Sequence, residues 1–579
     1  MRRFQIFLSK EGKNKAEKRM KLASILYLCL SASLAIIQSG CTAKIKEKYY
    51  PNISKNVIAS VTYDPSQETF ELVEGRIENA VAWANFTDAI NQTGWSHLTV
   101  TTNGSYTDSI QAYAAGLAEG HVSATFIFMN WINTINTFCQ DETQYCQKLK
   151  TFLTTNLEWM QQQIKLKSQD PYFHQLNLLL LQISGLEDGY LGLPANPQID
   201  LDPFGFLLFQ TGGDLEDLES ALSKSRKQRM PGDGHCSALI KLLPGNTDLF
   251  ASHDTWDGYQ GMLRTIKKYN FAFHLTETSD EVIPGQTAAF SSAPGMVLSG
   301  DDFYITNSGL VTIETTIGNS NNELWKYVQP SGQILEWARN IIANRLAKNA
   351  SHWADIFTKY NSGTYNNQWM IVDYNKFTPG QTPSDGLLVV LEQIPGTIQA
   401  EDMTYYLREH SYWPSYNIPF FEDIYDKSGW PANKRRYGNW FSYNKTARAN
   451  IFRRNETDVT DLKSMINLMR YNNFEHDPLS ACDCNPPYSA ENAIAARSDL
   501  NPVKGHYPFS ALGHRLHGAT DMKVTTSSMM KSLSMIAVCG PTHDQQPPFQ
   551  WSKSEFNQTL HLGHPDLFDF KPIEVVWSD

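Results

Sequence analysis

Hydrophobic and polar residues alternate in short patches between residues 46 and 110. Phe70-Glu-Leu-Val-Glu74 and Ser96-His-Leu-Thr-Val-Thr101 are examples, and their period predicts half-buried strands. From about residue 108 the period lengthens. Leu149, Phe152, Leu153, Leu157 and Met160 recur at helical spacing, and Leu176 to Ile183 continues the apolar theme, so helix is expected to about residue 190. The pattern then breaks. Thr211-Gly-Gly-Asp-Leu-Glu-Asp-Leu-Glu219 leads into Lys224-Ser-Arg-Lys-Gln-Arg229 and Pro231-Gly-Asp-Gly-His-Cys236, and charge blocks mixed with Gly and Pro predict an exposed, protease-accessible linker.

Beyond the break, Cys236-Ser-Ala-Leu-Ile-Lys-Leu-Leu243 and Asp248-Leu-Phe-Ala-Ser-His253 flank Pro244-Gly-Asn-Thr247 and read as a hairpin. Strands follow at Asp302–Thr306, Leu310–Thr315, Gln368–Asp373 and Leu387–Ile394, with one long amphipathic helix expected from Gln333 to Tyr360. No internal repeat is visible. Strands covered by long helices imply an α+β layered sandwich, folded as one intertwined unit.

The composition is that of a globular chain, 41% hydrophobic and 12% aromatic, and a net charge of -11 argues against a nucleic-acid partner. Basic residues concentrate at the start, in Arg2, Arg3, Lys10, Lys13, Lys15, Lys18, Arg19 and Lys21. They precede an apolar run, Leu22–Ile37, and the small residues Ser39, Gly40 and Ala43. That order describes a secretory signal; a run shorter than the roughly 20 residues of a bilayer span makes an uncleaved anchor over residues 1–45 the lesser reading. Eight sequons, at Asn52, Asn85, Asn91, Asn103, Asn349, Asn444, Asn455 and Asn557, agree with a glycosylated luminal protein.

Of eight cysteines, Cys29 and Cys41 lie in the signal segment. Cys139 and Cys146 are spaced for a local disulfide in an oxidising lumen. Cys482 and Cys484 flank Asp483 alone, which permits a strained bridge. Their spacing to His476, His506, His514 and His517 matches no zinc ribbon or finger, so no metal or other cofactor is expected. Cys539 reads as a small buried hydrophobe.

Cys236 has no near partner in sequence. A turn centred on Pro244-Gly245 sets it opposite His253, whereas a loop of all four residues Pro244 to Thr247 sets it opposite Thr255. Either register leaves His253, Asp254, Thr255 or Trp256 beside the sulfur, and a histidine beside a thiol can lower its pKa or activate it as a nucleophile. The preceding linker adds a second route. A cysteine freed as an amino terminus has its own α-amine, of ordinary pKa near 8, as general base. The thiol could create that terminus itself by attacking the His235 carbonyl.

Several stretches resemble the phospholipase B-like family: His235-Cys-Ser-Ala-Leu-Ile-Lys-Leu-Leu-Pro-Gly-Asn246, Ser252-His-Asp-Thr-Trp256, Asp301-Asp-Phe-Tyr304, Leu310-Val-Thr-Ile-Glu-Thr-Thr-Ile-Gly-Asn319, Lys359-Tyr-Asn-Ser-Gly-Thr-Tyr-Asn-Asn-Gln-Trp369, Tyr412-Trp-Pro-Ser-Tyr-Asn-Ile-Pro419 and Arg448-Ala-Asn-Ile-Phe-Arg-Arg454. The likeness covers essentially everything after the signal. It implies an N-terminal-nucleophile hydrolase with a four-layer αββα sandwich, matured by autocatalytic cleavage between His235 and Cys236. Residues 46–210 would form the amino-terminal chain, 211–235 the linker, and 236–579 the carboxy-terminal chain. The two chains would stay associated.

Mapped onto this sequence, the resemblance makes Cys236 the nucleophile and lines the site with His253 and Trp256. Asn417 becomes an oxyanion donor, and Arg448 a polariser or substrate anchor. The expected reaction is hydrolysis of an acyl ester or amide of a lipid or other small molecule, in the lysosome lumen or secreted. A mannose-phosphate sorting receptor and a second copy of the chain are the macromolecular partners expected. Two departures stand out: His235 occupies a position where a smaller residue is expected, and the Cys482/Cys484 pair is one residue tighter than the family's Cys-x-x-Cys. The rival readings are a serine lipase, which the absence of G-x-S-x-G counts against, and a non-catalytic luminal binding glycoprotein. H-E-x-x-H and P-loop motifs are also absent.

Overall fold

The computed structural model describes residues 56–224, Gly234 and residues 236–577. The signal segment, Asn52, the basic part of the linker and His235 lie outside the described residues. Two large sheets dominate. The first has eleven strands, in the order Thr397–Asp402, Leu388–Ile394, Asn367–Asp373, Leu310–Thr316, Phe303–Thr306, Thr287–Ser292, Arg264–Asn270, Trp95–Thr102, Ala82–Ala89, Asn56–Asp64 and Thr69–Glu74. Its last four strands precede the linker and the other seven follow it. They are joined by the parallel pairing of Trp95–Thr102 with Arg264–Asn270, so the two halves of the chain share one sheet. The second sheet runs Tyr412–Ser415, Cys236–Leu242, Leu249–Gly258, Asp521–Thr526, Met535–Cys539 and Ile573–Val575, with His517–Ala519 also pairing to Leu249–Gly258.

Alternation along the strands sorts the apolar residues into clusters. Ala238, Ile240 and Leu242 of the second sheet pack with Ile266, Ile305, Val311 and Ile313 of the first. Leu239, between them in sequence, turns instead to Phe250, Val524, Ile451, Phe452 and Met465. Phe86, Leu98 and Val100 pack beneath Leu117 and Leu179 of the helices Asp108–Val122 and Pro171–Leu191. The second of these helices starts where Asp170 accepts the Tyr172 N–H at 2.9 Å and Pro171 takes the first turn. The two helices touch through glycines: a Cβ at Gly116 would stand 1.9 Å from the Gln182 carbonyl oxygen, and one at Gly185 2.1 Å from that of Tyr113. No other residue fits without separating them.

Two sequence expectations need correction. The helix expected from Gln333 to Tyr360 is two, Glu336–Leu346 and Ala350–Phe357. Ala347 turns extended, and the Asn349 side chain accepts the His352 N–H at 2.9 Å, so a cap restarts the helix where apolar periodicity alone saw continuity. Second, the early part of the supposed linker is not exposed. Gly212–Ala221 is a helix that buries Asp214, Leu215, Asp217 and Leu218. Asp214 accepts the N–H groups of Glu336 and Trp337 at 2.9 and 3.2 Å, and Asp217 accepts the backbone and side-chain N–H of Asn366 at 3.2 and 2.9 Å. Its carboxylates are satisfied by protein donors rather than water, which charge counting cannot see.

Of the two registers left open, the hairpin takes the wider, with Cys236 opposite Thr255 and His253 opposite Ala238. Both expected disulfides are formed, Cys139–Cys146 and Cys482–Cys484, with Cα separations of 5.9 and 5.3 Å inside the usual range. Among the described residues no helix is long and apolar enough to cross a membrane.

Candidate functional site

Cys236 is the first residue of a strand buried along its whole length. It is free and buried, and a hydrogen bond from the Trp256 backbone N–H reaches its thiol. Its sulfur, a ring nitrogen of His253 and a carboxylate oxygen of Glu314 lie within 4.8 Å of one another. His253 Nε2 hydrogen-bonds the Glu314 backbone carbonyl at 2.9 Å, and the Tyr365 hydroxyl donates to the Glu314 carboxylate at 3.0 Å.

The electrostatics of this group are those of a resting thiol. Burial, with the Glu314 charge adding to it, pushes Cys236 well above the ordinary cysteine range. Burial and the Lys523 ammonium push His253 well below the ordinary imidazole range. The pair is therefore neutral, not a thiolate–imidazolium couple. Alkylation of Cys236 by iodoacetamide in the uncleaved chain is expected to be at least about tenfold slower at pH 7.5 than for an unhindered thiol, its rate still rising above pH 9. Peptide mass mapping of the labelled chain measures this, and a rate that levels off near neutral pH would contradict it.

Opposite the nucleophile, Thr255 is fixed by a knot of buried charge. Its Oγ1 donates to Asp301 at 3.0 Å and accepts from Lys523 at 2.6 Å. Asp301 also accepts from Arg264 at 2.5 Å, Ser291 at 2.7 Å, Ser299 at 2.9 Å and Lys523 at 2.9 Å. Arg264 and Lys523 hold its carboxyl well below the usual range despite burial.

Arg448 enters from the helix Ala447–Asn455. It donates to the Cys236 carbonyl at 2.6 Å, to Ser237 Oγ at 3.2 Å and to Asn417 Oδ1 at 2.7 Å, and its guanidinium lies 4.2 Å over the Trp256 ring. Asn417 sits at φ +68°, a left-handed position that asparagine tolerates, and its Nδ2 donates to the Thr316 carbonyl at 2.8 Å. Thus one of its two amide hydrogens is used inside the fold. Gly234 lies against this pair: a Cβ there would stand 2.5 Å from Asn417 Oδ1 and 3.1 Å from Arg448 Nη2. The five side chains named from the sequence, Cys236, His253, Trp256, Asn417 and Arg448, are therefore brought together around Gly234 and the start of the Cys236 strand.

Two cavities meet there. One of about 470 Å³ has Cys236 and Thr255 on its wall with Phe138, Phe209, Leu215 and Met296. The other, about 640 Å³, is lined by Gly234, Asn417 and Arg448 with Trp325, Trp430 and Trp440. Glu219 lines both. Sequence reasoning missed Glu314, Tyr365, Lys523 and Arg264 as site neighbours. Glu314 left a signal, a lone acid in the otherwise uncharged run Leu310–Ile317.

A buried thiol thus heads a strand on the wall of one cavity, its backbone carbonyl held by an arginine that an asparagine aligns on the wall of a second. The Phospholipase B family matches residues 82–575, and the chain belongs to the phospholipase B-like family. It is 51% identical to phospholipase B-like 2 of Mus musculus over 97% of both chains, and 55% identical to that of Bos taurus over 90% of both. Phospholipase B-like 1 of Caenorhabditis elegans is 42% identical over 95% of this chain and 96% of its own.

Proposed function

We propose that the protein is a self-processing N-terminal-nucleophile hydrolase of the lysosome lumen that cleaves acyl ester or amide bonds of lipids. The observation that carries this reading is the placement of Cys236: first residue of a central strand, its carbonyl held by Arg448, its thiol bonded from the Trp256 N–H at a cavity wall. Two sheets packed face to face, with helices outside each, support the four-layer αββα arrangement of that class.

In the first step the Cys236 sulfur attacks the His235 carbonyl carbon and the His235–Cys236 C–N bond breaks, its nitrogen taking the thiol proton. Water then hydrolyses the resulting thioester, leaving a His235 carboxylate and a free Cys236 thiol and α-amine. The boundary falls after the helix Gly212–Ala221, whose Asp214 and Asp217 tie the amino-terminal chain to Glu336 and Asn366 of the carboxy-terminal chain. In turnover the α-amine takes the thiol proton as sulfur attacks the substrate carbonyl, since burial holds the neighbouring His253 well below the ordinary imidazole range. The second Asn417 amide hydrogen stabilises the oxyanion. The leaving alcohol or amine takes the proton back, and water releases the fatty acid from the thioester.

Four of the sequons, Asn91, Asn349, Asn444 and Asn557, are exposed, as glycan acceptors in a lumen must be. Intact mass and Edman sequencing of the purified protein, before and after incubation at acid pH, test the reading. A chain beginning at Cys236 that then takes up one acyl group from an electrophilic lipid analogue is expected. A chain that stays whole, or a processed one that takes up none, would sink it.

A further inference from the structure

Around the nucleophile the structure assembles a ligand set that the acyl-transfer scheme does not use. Cys236, His253 and Glu314 supply a sulfur, a ring nitrogen and a carboxylate oxygen from three strands, all mutually within 4.8 Å and all buried. We propose that these three side chains form a binding site for one zinc ion, whose occupancy blocks the Cys236 thiol.

Four features of the geometry support it. Tetrahedral zinc with bonds of about 2.0–2.3 Å places its ligand atoms about 3.5 Å apart, so the three groups need close by only about an ångström, within reach of side-chain rotation. His253 has the arrangement of a zinc ligand: Nε2 is committed to the Glu314 backbone carbonyl at 2.9 Å, while Nδ1 is buried with no hydrogen-bond partner. A zinc-ligating histidine almost always gives its second ring N–H to such an acceptor, which fixes the tautomer and the ring plane.

The charge also balances. A thiolate and a carboxylate with a neutral imidazole cancel a dication, so the loaded site buries no net charge, whereas the empty one sets a thiol against an acid. Finally, the 470 Å³ cavity that opens on Cys236 gives the ion a way in and a water to complete four-coordination.

Binding displaces the thiol proton to water and breaks no other bond. Zinc withdraws charge from the bound sulfur and fills the space beside it, so the loaded chain alkylates and self-cleaves far more slowly than the stripped one. A chelator reverses both. The site stands whether or not Cys236 performs catalysis, and its test reads metal, not hydrolysis.

Full-length protein stripped with a chelator, exchanged into zinc and desalted is expected to hold about one zinc per chain by elemental mass spectrometry. Cobalt in place of zinc is expected to give a thiolate-to-metal charge-transfer band and the strong visible bands of a four-coordinate ion. Cys236→Ala, His253→Gln and Glu314→Gln should each lower retention at least about tenfold. Zinc should also protect Cys236 of the unaltered chain from iodoacetamide until chelator is added. A stripped wild-type chain that retains no zinc, or binds cobalt without the thiolate band, overturns the proposal. So does zinc retained equally by Cys236→Ala. The wild-type cobalt spectrum decides the matter even if a variant fails to fold.

Discussion

Replacing Cys236 with alanine is expected to leave a single uncleaved chain and to lower hydrolysis of an acyl ester or amide by about 10⁴-fold or more. The size follows from the division of labour at the site. Alanine removes the only atom that forms the thioester, yet it leaves the Arg448 contact to the residue 236 carbonyl, which is backbone. The strand pairing to Thr255 is also backbone and survives. The fold is therefore retained while both cleavage and turnover are lost.

Asn417→Ala should behave differently. It withdraws an oxyanion donor, worth about 10²–10³ in kcat in comparable sites, but it also strips Arg448 of the acceptor that aligns it at 2.7 Å. Slowed processing together with a reduced kcat is expected there, not a complete block. Amino-terminal sequencing of each variant, followed by kinetics on whatever mature protein forms, separates the two. Normal processing of Cys236→Ala would remove self-cleavage from the scheme. Unaltered kcat in Asn417→Ala would remove the oxyanion role.

The sequence announced the strand that bears Cys236 because seven consecutive residues without a charge other than Lys241 stand between a Gly-rich break and a Pro-Gly turn. Its register was not decidable there. Whether the loop has two residues or four depends on Gly245 at φ +69° and Asn246 at φ +55°, conformations that composition permits at both positions without choosing. The site's charged inner ring was also hidden. Asp301, Lys523 and Arg264 are far apart in sequence, and each alone reads as a surface residue. Only the strand order, which brings Asp521–Thr526 beside Leu249–Gly258 and Arg264–Asn270 beside Thr287–Ser292, makes them a buried cluster. Asn417 and Arg448 came from motif resemblance and not from periodicity. Their meeting depends on a turn and a helix more than thirty residues apart in sequence, joined by one hydrogen bond.

Buried histidines such as His253 and His564 add stability as pH rises toward their unfolded value, whereas buried acids lose it between pH 5 and 8, the reverse of what carboxylates in ordinary ion pairs produce. Glu392 illustrates the cause. It is fully buried beneath the segment that follows Asn417, where it accepts the Phe420 and Phe421 N–H groups at 2.6 and 3.1 Å and the Gln368 amide at 2.6 Å. Burial outweighs these three donors and raises its pKa from 4.5 to about 7. The folded chain therefore holds a proton that the unfolded chain has released. That contribution is complete below the unfolded value and is lost as pH climbs through about 7; the difference corresponds to about 3 kcal/mol.

Asp254, Asp302 and Glu336 are pushed up by burial in the same sense, with neighbouring acids adding to it. Asp301 is pushed the other way by Arg264 and Lys523, but it titrates below this window and leaves the slope unchanged. Thermal unfolding is expected to show that Glu392→Gln, whose amide keeps the shape and cannot ionise, gains Tm relative to the unaltered chain as pH rises from 5 to 8. A Tm difference between the two chains that stays constant across that range would contradict the assignment.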